Sequence, residues 1–457
     1  MRTAALRVLQ IGAIAAVLVV STQTVFDLDR FLVPKELVLH ATALVAALLG
    51  FGALRRLTFT RGDWLLALYL LLSAISAALA TNRWLGFRAF ALSASAVLIF
   101  WTARVLGDVR LINALALAVV IASIASLAET YGLRLIFFAS TRVPGGTLGN
   151  RNFVAHLAAI GLPLLFSVAV RGGKFLMPSI GVAIVTASLV LTRSRAAWIA
   201  AVVMLVVYVI FSRAWARIAL VLAFAVAGAV AALVIPNTLQ WRSGNPYMRS
   251  VTDIANYEQG SGRGRLVQYG RSLAMAAHHP LFGVGPGNWP VVYPHFAQRN
   301  DPSVDGSDNM TFNPWPSSDW IAFVSERGAV AAVVLAIALI VLAWKSRDAA
   351  AMAIVAAALV AGLFDAVLLL PVPAFILFAA LGAWSGDLQA SDGGRKPAAP
   401  LLLILIAAAG VYRSGAEVVA MSLYDEPRVA AKIDPGNYRI QRRVHARAAR
   451  ALFPYAR

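Results

Sequence analysis

Arginines carry the first chemical signal in this chain. Arg193 and Arg195 stand in Leu-Thr-Arg-Ser-Arg-Ala-Ala-Trp, a short turn between two apolar runs, and Arg263 and Arg265 stand in Gly-Ser-Gly-Arg-Gly-Arg-Leu within a long polar segment. A guanidinium is permanently charged, and its planar fork fits a phosphate bidentately. At the rim of a hydrocarbon layer it carries a large desolvation cost unless it meets an anion. The pair Arg193 and Arg195 suits a phosphate-bearing anion; it also suits side chains that snorkel to lipid headgroups. Gly145-Gly146-Thr147-Leu148-Gly149-Asn150-Arg151-Asn152 leads into another apolar run. Glycine N–H groups, Arg151 and a capping Asn150 would make an anion cradle there, or no more than a helix-entry turn.

Three carboxyls could do proton chemistry. Asp319 opens an apolar window in Pro316-Ser317-Ser318-Asp319-Trp320, and Glu326 follows at a spacing that returns to the same helix face. Both are expected to point into one cavity, where either could take a proton from a sugar hydroxyl. Asp319 as an ordinary N-terminal helix cap is the alternative. Asp365, near the end of its window and followed by Pro371 and Pro373, is the third. The chain has no cysteine, which removes disulfides and thiolate chemistry. Gly283, Gly285 and Gly287 resemble a dinucleotide fingerprint only superficially, since no strand precedes them; they read as structural loop glycines. No metal or cofactor is implied.

The elements that must position these groups are membrane spans. Of 457 residues 60% are hydrophobic and 13% charged, with a mean hydropathy of +0.75, more apolar surface than a water-soluble fold can hide. Apolar windows predict nine spans before the polar segment Asn237 to Ser318 and three or four after it, near 319–343, 350–370, 373–386 and 400–412, hence twelve or thirteen in all. The net charge of +19 lies mostly in short caps between these windows, so it reads as topology signal and contact with membrane lipids rather than nucleic-acid binding. With a cytoplasmic amino terminus, fifteen Lys and Arg of the short loops fall inside and nine outside. This bias places the large loop outside the cytoplasm, although nine outward basic residues are more than the rule predicts.

The expected organisation is therefore an all-α polytopic membrane protein: spans over 1–236, a large periplasmic loop over 237–318, further spans over 319–412, and a basic helical tail over 413–457. Asp434-Pro435-Gly436-Asn437 in the tail separates two helix-like stretches, the second with Ile440, Val444 and Ala448 on one face. They predict either one tetratricopeptide-like hairpin leaning on a partner surface or a basic amphipathic helix on the membrane.

Taken in order, several motifs resemble the O-antigen ligase and polymerase family of bacterial membrane glycosyltransferases. They are Gly146 to Asn152, Leu191 to Ala197, Arg265 with Tyr269, His279-Pro-Leu-Phe-Gly-Val-Gly-Pro-Gly-Asn-Trp289, Tyr293-Pro294, and Asp319 with Glu326 and Gly328. The resemblance spans roughly 145 to 385, over half of the chain, and rests on the order of the motifs rather than on any one. It implies a GT-C-like helical fold in the bacterial cytoplasmic (inner) membrane and a donor glycan on undecaprenyl diphosphate. It also implies a sugar, lipid-core or protein acceptor, and a diphosphate held by Arg195 and Arg265, with Arg193, Arg263, Asn150 and Arg151 beside them. The family pattern places His-Asn before the Asp that opens the tenth span; here Ser317 and Ser318 stand instead. Asp319, Glu326, His279 or His295 must then supply the base, or the chain is an inactive relative. A flippase of lipid-linked sugar and a noncatalytic assembly protein are the rival readings. The absence of internal repeats argues against the flippase.

Overall fold

The computed structural model describes residues 1–23, 28–133, 140–173, 175–241, 246–252, 260–386 and 399–456. Arg134, Lys174, Arg395 and Lys396, which are counted among the short-loop charges above, lie outside the described residues, as do Arg242, Asp253 and Glu258 of the large loop and residues 387–398. The protein is a multi-pass, all-helical membrane protein. Among the described residues there are no strands, only isolated bridges at Arg142–Asn150 and Val304–Thr311.

Among the described residues, eight helices are long and apolar enough to cross a membrane: Asp29–Leu49, Arg61–Leu79, Arg83–Leu106, Arg110–Thr130, Arg151–Arg171, Trp215–Val234, Ala329–Ser346 and Ala399–Ser422. Four shorter apolar helices, Leu176–Thr192, Arg195–Phe211, Ala349–Gly362 and Pro371–Trp384, pack among them, and Arg2–Leu18 stands against Asp29–Leu49. Burial sorts these helices by position. Arg151–Arg171 has 94% of its apolar window buried inside the protein, whereas Trp215–Val234 has 22%. The first is the central post; the second turns its Leu220, Val226, Val230 and Leu233 outward, as a lipid-facing helix must.

The polar segment after Trp215–Val234 folds down onto the ends of the bundle. Gly260–His278 and Trp289–Phe296 are joined by the glycine turn, in which Gly283, Gly285 and Gly287 all take positive φ, at 63°, 104° and 66°. Only glycine adopts this backbone without strain. A Cβ on Gly283 would also stand 2.3 Å from the carbonyl carbon of Glu326, and one on Gly285 2.3 Å from the Cβ of Ala80. Ser76 Oγ donates to Phe282 O at 2.6 Å, and the Asn288 side chain exchanges two hydrogen bonds with the Asn82 backbone at 2.7 and 3.1 Å. The turn is thus wedged between spans rather than held clear of them.

Two expectations about elements change. The window 319–343 divides at Gly328 into Asp319–Arg327 and Ala329–Ser346, because Gly328 takes φ 87° and lies so close to Leu281 O that a Cβ there would stand 2.1 Å away. In the tail, Pro427–Ile433, Tyr438–Val444 and Ala446–Leu452 form three short helices. His445 is extended, so Ala448 leaves the face of Ile440 and Val444, and Ala449 is buried in its place. Ile440 packs with Val33, Ala420 and Met421; Tyr438, Ala449 and Phe453 pack with Trp289, Val291 and Tyr293. The tail therefore shares one face of the bundle with the large loop.

The excess of basic residues on that face has a structural explanation. Lys35 is 1% exposed and donates to Val19 O. Arg88 forms a fork with Glu36 at 2.8 and 2.8 Å and reaches Glu417 at 3.2 Å. These charges are internal partners within the bundle, and a loop-charge count does not apply to them.

Candidate functional site

Asp365 is where the helix over the central post stops. Ala349–Phe364 ends as Asp365 turns extended, which releases its carboxylate at the loop face. Oδ1 accepts the Ala366 N–H at 2.9 Å, and Oδ2 accepts Asn152 Nδ2 at 2.9 Å. A guanidinium nitrogen of Arg265, from Gly260–His278, and Nε2 of His156, from Arg151–Arg171, each lie 3.9 Å from Oδ2. A cavity of about 270 Å³ opens here, lined by Arg142, Asn150, Asn152, Arg265, Ser317 and Asp365 among others. Gln268 and Tyr269 brace its wall by hydrogen bonds to the Ser317 N–H and Ser317 O. The Asp365 side chain is 13% exposed and that of Arg265 27%. Both are reachable from the cavity.

His156 is a residue that the sequence reading did not single out. It is fully buried, and both of its ring nitrogens lack hydrogen-bond partners. The available signal was its spacing: Asn152 and His156 are one turn apart on an otherwise apolar helix, so they share a face. His279 and His295, considered as substitutes for the family histidine, are elsewhere. His279 lines a cavity with Leu79 and Thr81, and His295 stacks on Tyr455 at 4.7 Å.

The two other carboxyls do not share this cavity. Asp319 is fully buried, and its oxygens accept the N–H groups of Val367, Leu368 and Leu369 at 2.9, 2.8 and 3.3 Å. That arrangement pins the segment following Asp365. Glu326 accepts the Trp289 N–H at 3.2 Å and lies 3.3 Å from the guanidinium of its neighbour Arg327. The seven-residue spacing does return to one helix face, but it also advances ~10 Å along the axis, so the two carboxylates serve opposite ends of Asp319–Arg327. Ser318 is the N-cap of that helix, accepting from Ile321 N and donating to Gly362 O.

The anion cradle expected at Gly145–Asn152 is filled from within. Glu129 accepts the N–H groups of Gly145 and Gly146, both at 2.7 Å, and the Ser140 hydroxyl at 3.0 Å. Asn150 caps the central helix through the Asn152 N–H while also lining the cavity. The basic residues divide into groups. Arg265 enters the cavity, and Arg263, two residues or ~200° away around the helix, is exposed. Arg151 and Arg193 lie over the Trp241 ring at 5.0 and 4.6 Å, and Arg193 Nε donates to Ser250 Oγ at 3.0 Å. Burial, reinforced by the Arg249 and Arg195 guanidiniums and opposed by Tyr247, pushes Arg193 below the ordinary arginine value.

Residues 180–315 match a family model described as O-Antigen ligase. Over that segment the chain is similar to the O-antigen ligase family. A comparison with curated proteins finds no match. The matched segment contains Arg193, Arg195, Arg263, Arg265 and the three turn glycines. Asp319 and Asp365 lie after it, and Asn152 and His156 before it. The cavity is assembled by the matched segment together with elements on both sides of it.

Proposed function

We propose that this chain is an O-antigen ligase family member that transfers a glycan from an undecaprenyl diphosphate carrier to a hydroxyl acceptor at the periplasmic face of the bacterial inner membrane. The observation that carries this reading is the facing of Arg265 and Asp365 across one cavity at the end of the central helix. The acceptor O–H attacks the anomeric carbon of the donor sugar as the bond from that carbon to the diphosphate oxygen breaks. The new glycosidic bond takes the acceptor oxygen, Asp365 takes the proton, and the diphosphate leaves with its added charge. Arg265 stands where that charge develops, with Arg142 on the same wall and the patch of Arg151, Arg193 and Arg195 beyond it; preorganised positive charge at such a point lowers the barrier. Asp365 replaces the family histidine as the base, and Asn152 orients it.

Lysine can snorkel to headgroups as well as arginine, but it cannot reproduce the planar fork. Arg265→Lys and Arg195→Lys, in protein purified at normal yield, are each expected to lose about 100- to 1,000-fold in glycan transfer, on the scale of one lost oxyanion donor. Near-normal transfer by either variant overturns the diphosphate role of that residue. Cell-surface polysaccharide length and attachment in a deletion strain, complemented by each variant, then separate ligation from polymerisation.

A further inference from the structure

A second cavity, of about 250 Å³, lies beside the first and shares Leu28 and Trp315 with it. The large loop contributes Thr311, Phe312, Pro314 and Trp315, the spans contribute Asp29, Glu36, Arg88, Arg413 and Glu417, and the tail contributes Asn437, Tyr438, Arg439 and Phe453. Four carboxylates, Asp29, Glu36, Glu326 and Glu417, face three guanidiniums, Arg88, Arg413 and Arg439. The first cavity has the opposite balance, with Arg142 and Arg265 against Asp365.

We propose that this second chamber holds the terminal sugar of the acceptor, an uncharged or amino saccharide, and that the carboxy-terminal tail is its roof; the inference rests on the transferase reading above. Charge is the first argument. The first cavity has an excess of guanidiniums, whereas in the second Arg88 and Arg413 are paired with Glu36 and Glu417, and Glu326 with Arg327, so the diphosphate is drawn to the first and the second is left to a polyhydroxylated partner. Lining is the second. Phe312, Trp315, Tyr438 and Phe453 offer flat apolar surface, interrupted by a few polar groups that fix orientation, the usual composition of a small-molecule site. The volume lies just below the ~300 Å³ at which such sites begin, suiting a terminal sugar rather than a long chain. Unfilled hydrogen-bonding capacity is the third. Arg413 lines the chamber while only 3% exposed, and its Nε has no hydrogen-bond partner. Asp29 faces it with a loose contact to Arg88 at 3.7 Å. The shared wall of Leu28 and Trp315 sets the chamber beside Arg265 and Asp365, where an acceptor hydroxyl is needed.

Because the natural chain has no cysteine, single thiols report on each chamber separately. Thr311→Cys and Phe312→Cys place one at the second chamber and Asn313→Cys places one at the first. Full-length protein in lipid nanodiscs is labelled with a maleimide, with undecaprenyl diphosphate or with the methyl glycosides of glucose, galactose and glucosamine as competitors. At least one glycoside is expected to slow labelling of Thr311→Cys and Phe312→Cys several-fold while leaving Asn313→Cys unchanged; undecaprenyl diphosphate should do the reverse. If no glycoside protects either second-chamber thiol, or if undecaprenyl diphosphate protects them as well as it protects Asn313→Cys, the saccharide assignment is wrong. Failure of undecaprenyl diphosphate to protect Asn313→Cys, with glycoside protection intact at Thr311→Cys, instead overturns the donor reading and leaves a saccharide site standing.

Discussion

His156 Nε2 lies 3.9 Å from Asp365 Oδ2, beneath the floor of the cavity that Arg265 enters from above. A buried imidazole with both nitrogens unpaired is costly, and its position beside the Asp365 carboxylate fits a positioning group in the transfer proposed above. Asp365→Asn, which keeps the shape and the contact to Asn152, is expected to lower transfer by about 100- to 10,000-fold, the scale of general base catalysis. Binding of undecaprenyl diphosphate should be retained. His156→Leu is expected to hold or raise the melting temperature, since two unsatisfied nitrogens disappear, while reducing transfer less than Asp365→Asn does. Equal transfer in wild type and His156→Leu would make the histidine a passive core residue.

Glu129 closes its glycine turn as an internal anion, so its removal should be felt as stability rather than as donor affinity. Glu129→Ala leaves two buried N–H donors without partners, at a cost of about 1–3 kcal/mol each. A lowered melting temperature with unchanged affinity for undecaprenyl diphosphate is the expected pair of results. Loss of affinity at unchanged stability would return the turn to the role of an external phosphate cradle.

Gly328 holds the break between Asp319–Arg327 and Ala329–Ser346. Gly328→Ala combines positive φ, itself of order 1–3 kcal/mol for a residue other than glycine, with a Cβ placed 2.1 Å from Leu281 O. The variant should express poorly or melt early, whereas Gly270→Ala, with nothing within 4 Å of the added Cβ, should behave as wild type. Thermal unfolding followed by tryptophan fluorescence compares the two.

The tail is docked through a carboxyl that responds to pH. Asp434 accepts the Trp84 indole N–H at 2.6 Å and Asn437 Nδ2 at 3.0 Å. Burial, together with the nearby Glu417 and against the pull of Arg413, raises its pKa above the ordinary aspartate value. A raised folded-state pKa means that the docked state binds more protons than the free one, so this contribution is present below the ordinary carboxylate range and is lost as pH rises through the folded value. Docking should accordingly be tighter in mild acid. A spin label at Arg447→Cys is expected to become more mobile as pH rises, and Asp434→Asn should flatten the dependence. A pH-independent spectrum in the parent would show that Asp434 does not govern docking.

Features that depend on local pattern were legible in the sequence. Hydrocarbon-length apolar runs announced a multi-pass helical protein. The length and polarity of the segment after Val234 announced a large loop, and the glycines at 283, 285 and 287 read as structural loop residues; each follows from the residue's own backbone or from its immediate neighbours. The arginines were legible as chemistry because a guanidinium near a membrane needs a counter-charge wherever it sits. Partnership was not legible, because it depends on which helices become neighbours. Nothing within Gly145–Asn152 reveals that Glu129 fills its N–H groups, and the spacing of Asp319 and Glu326 reports a shared face but not the axial distance that separates their surroundings. Asp365 acquired its company of Asn152, His156 and Arg265 only when Ala349–Phe364 came to rest against the central helix. That packing brings together residues up to 213 positions apart, and no local periodicity encodes a contact of that range.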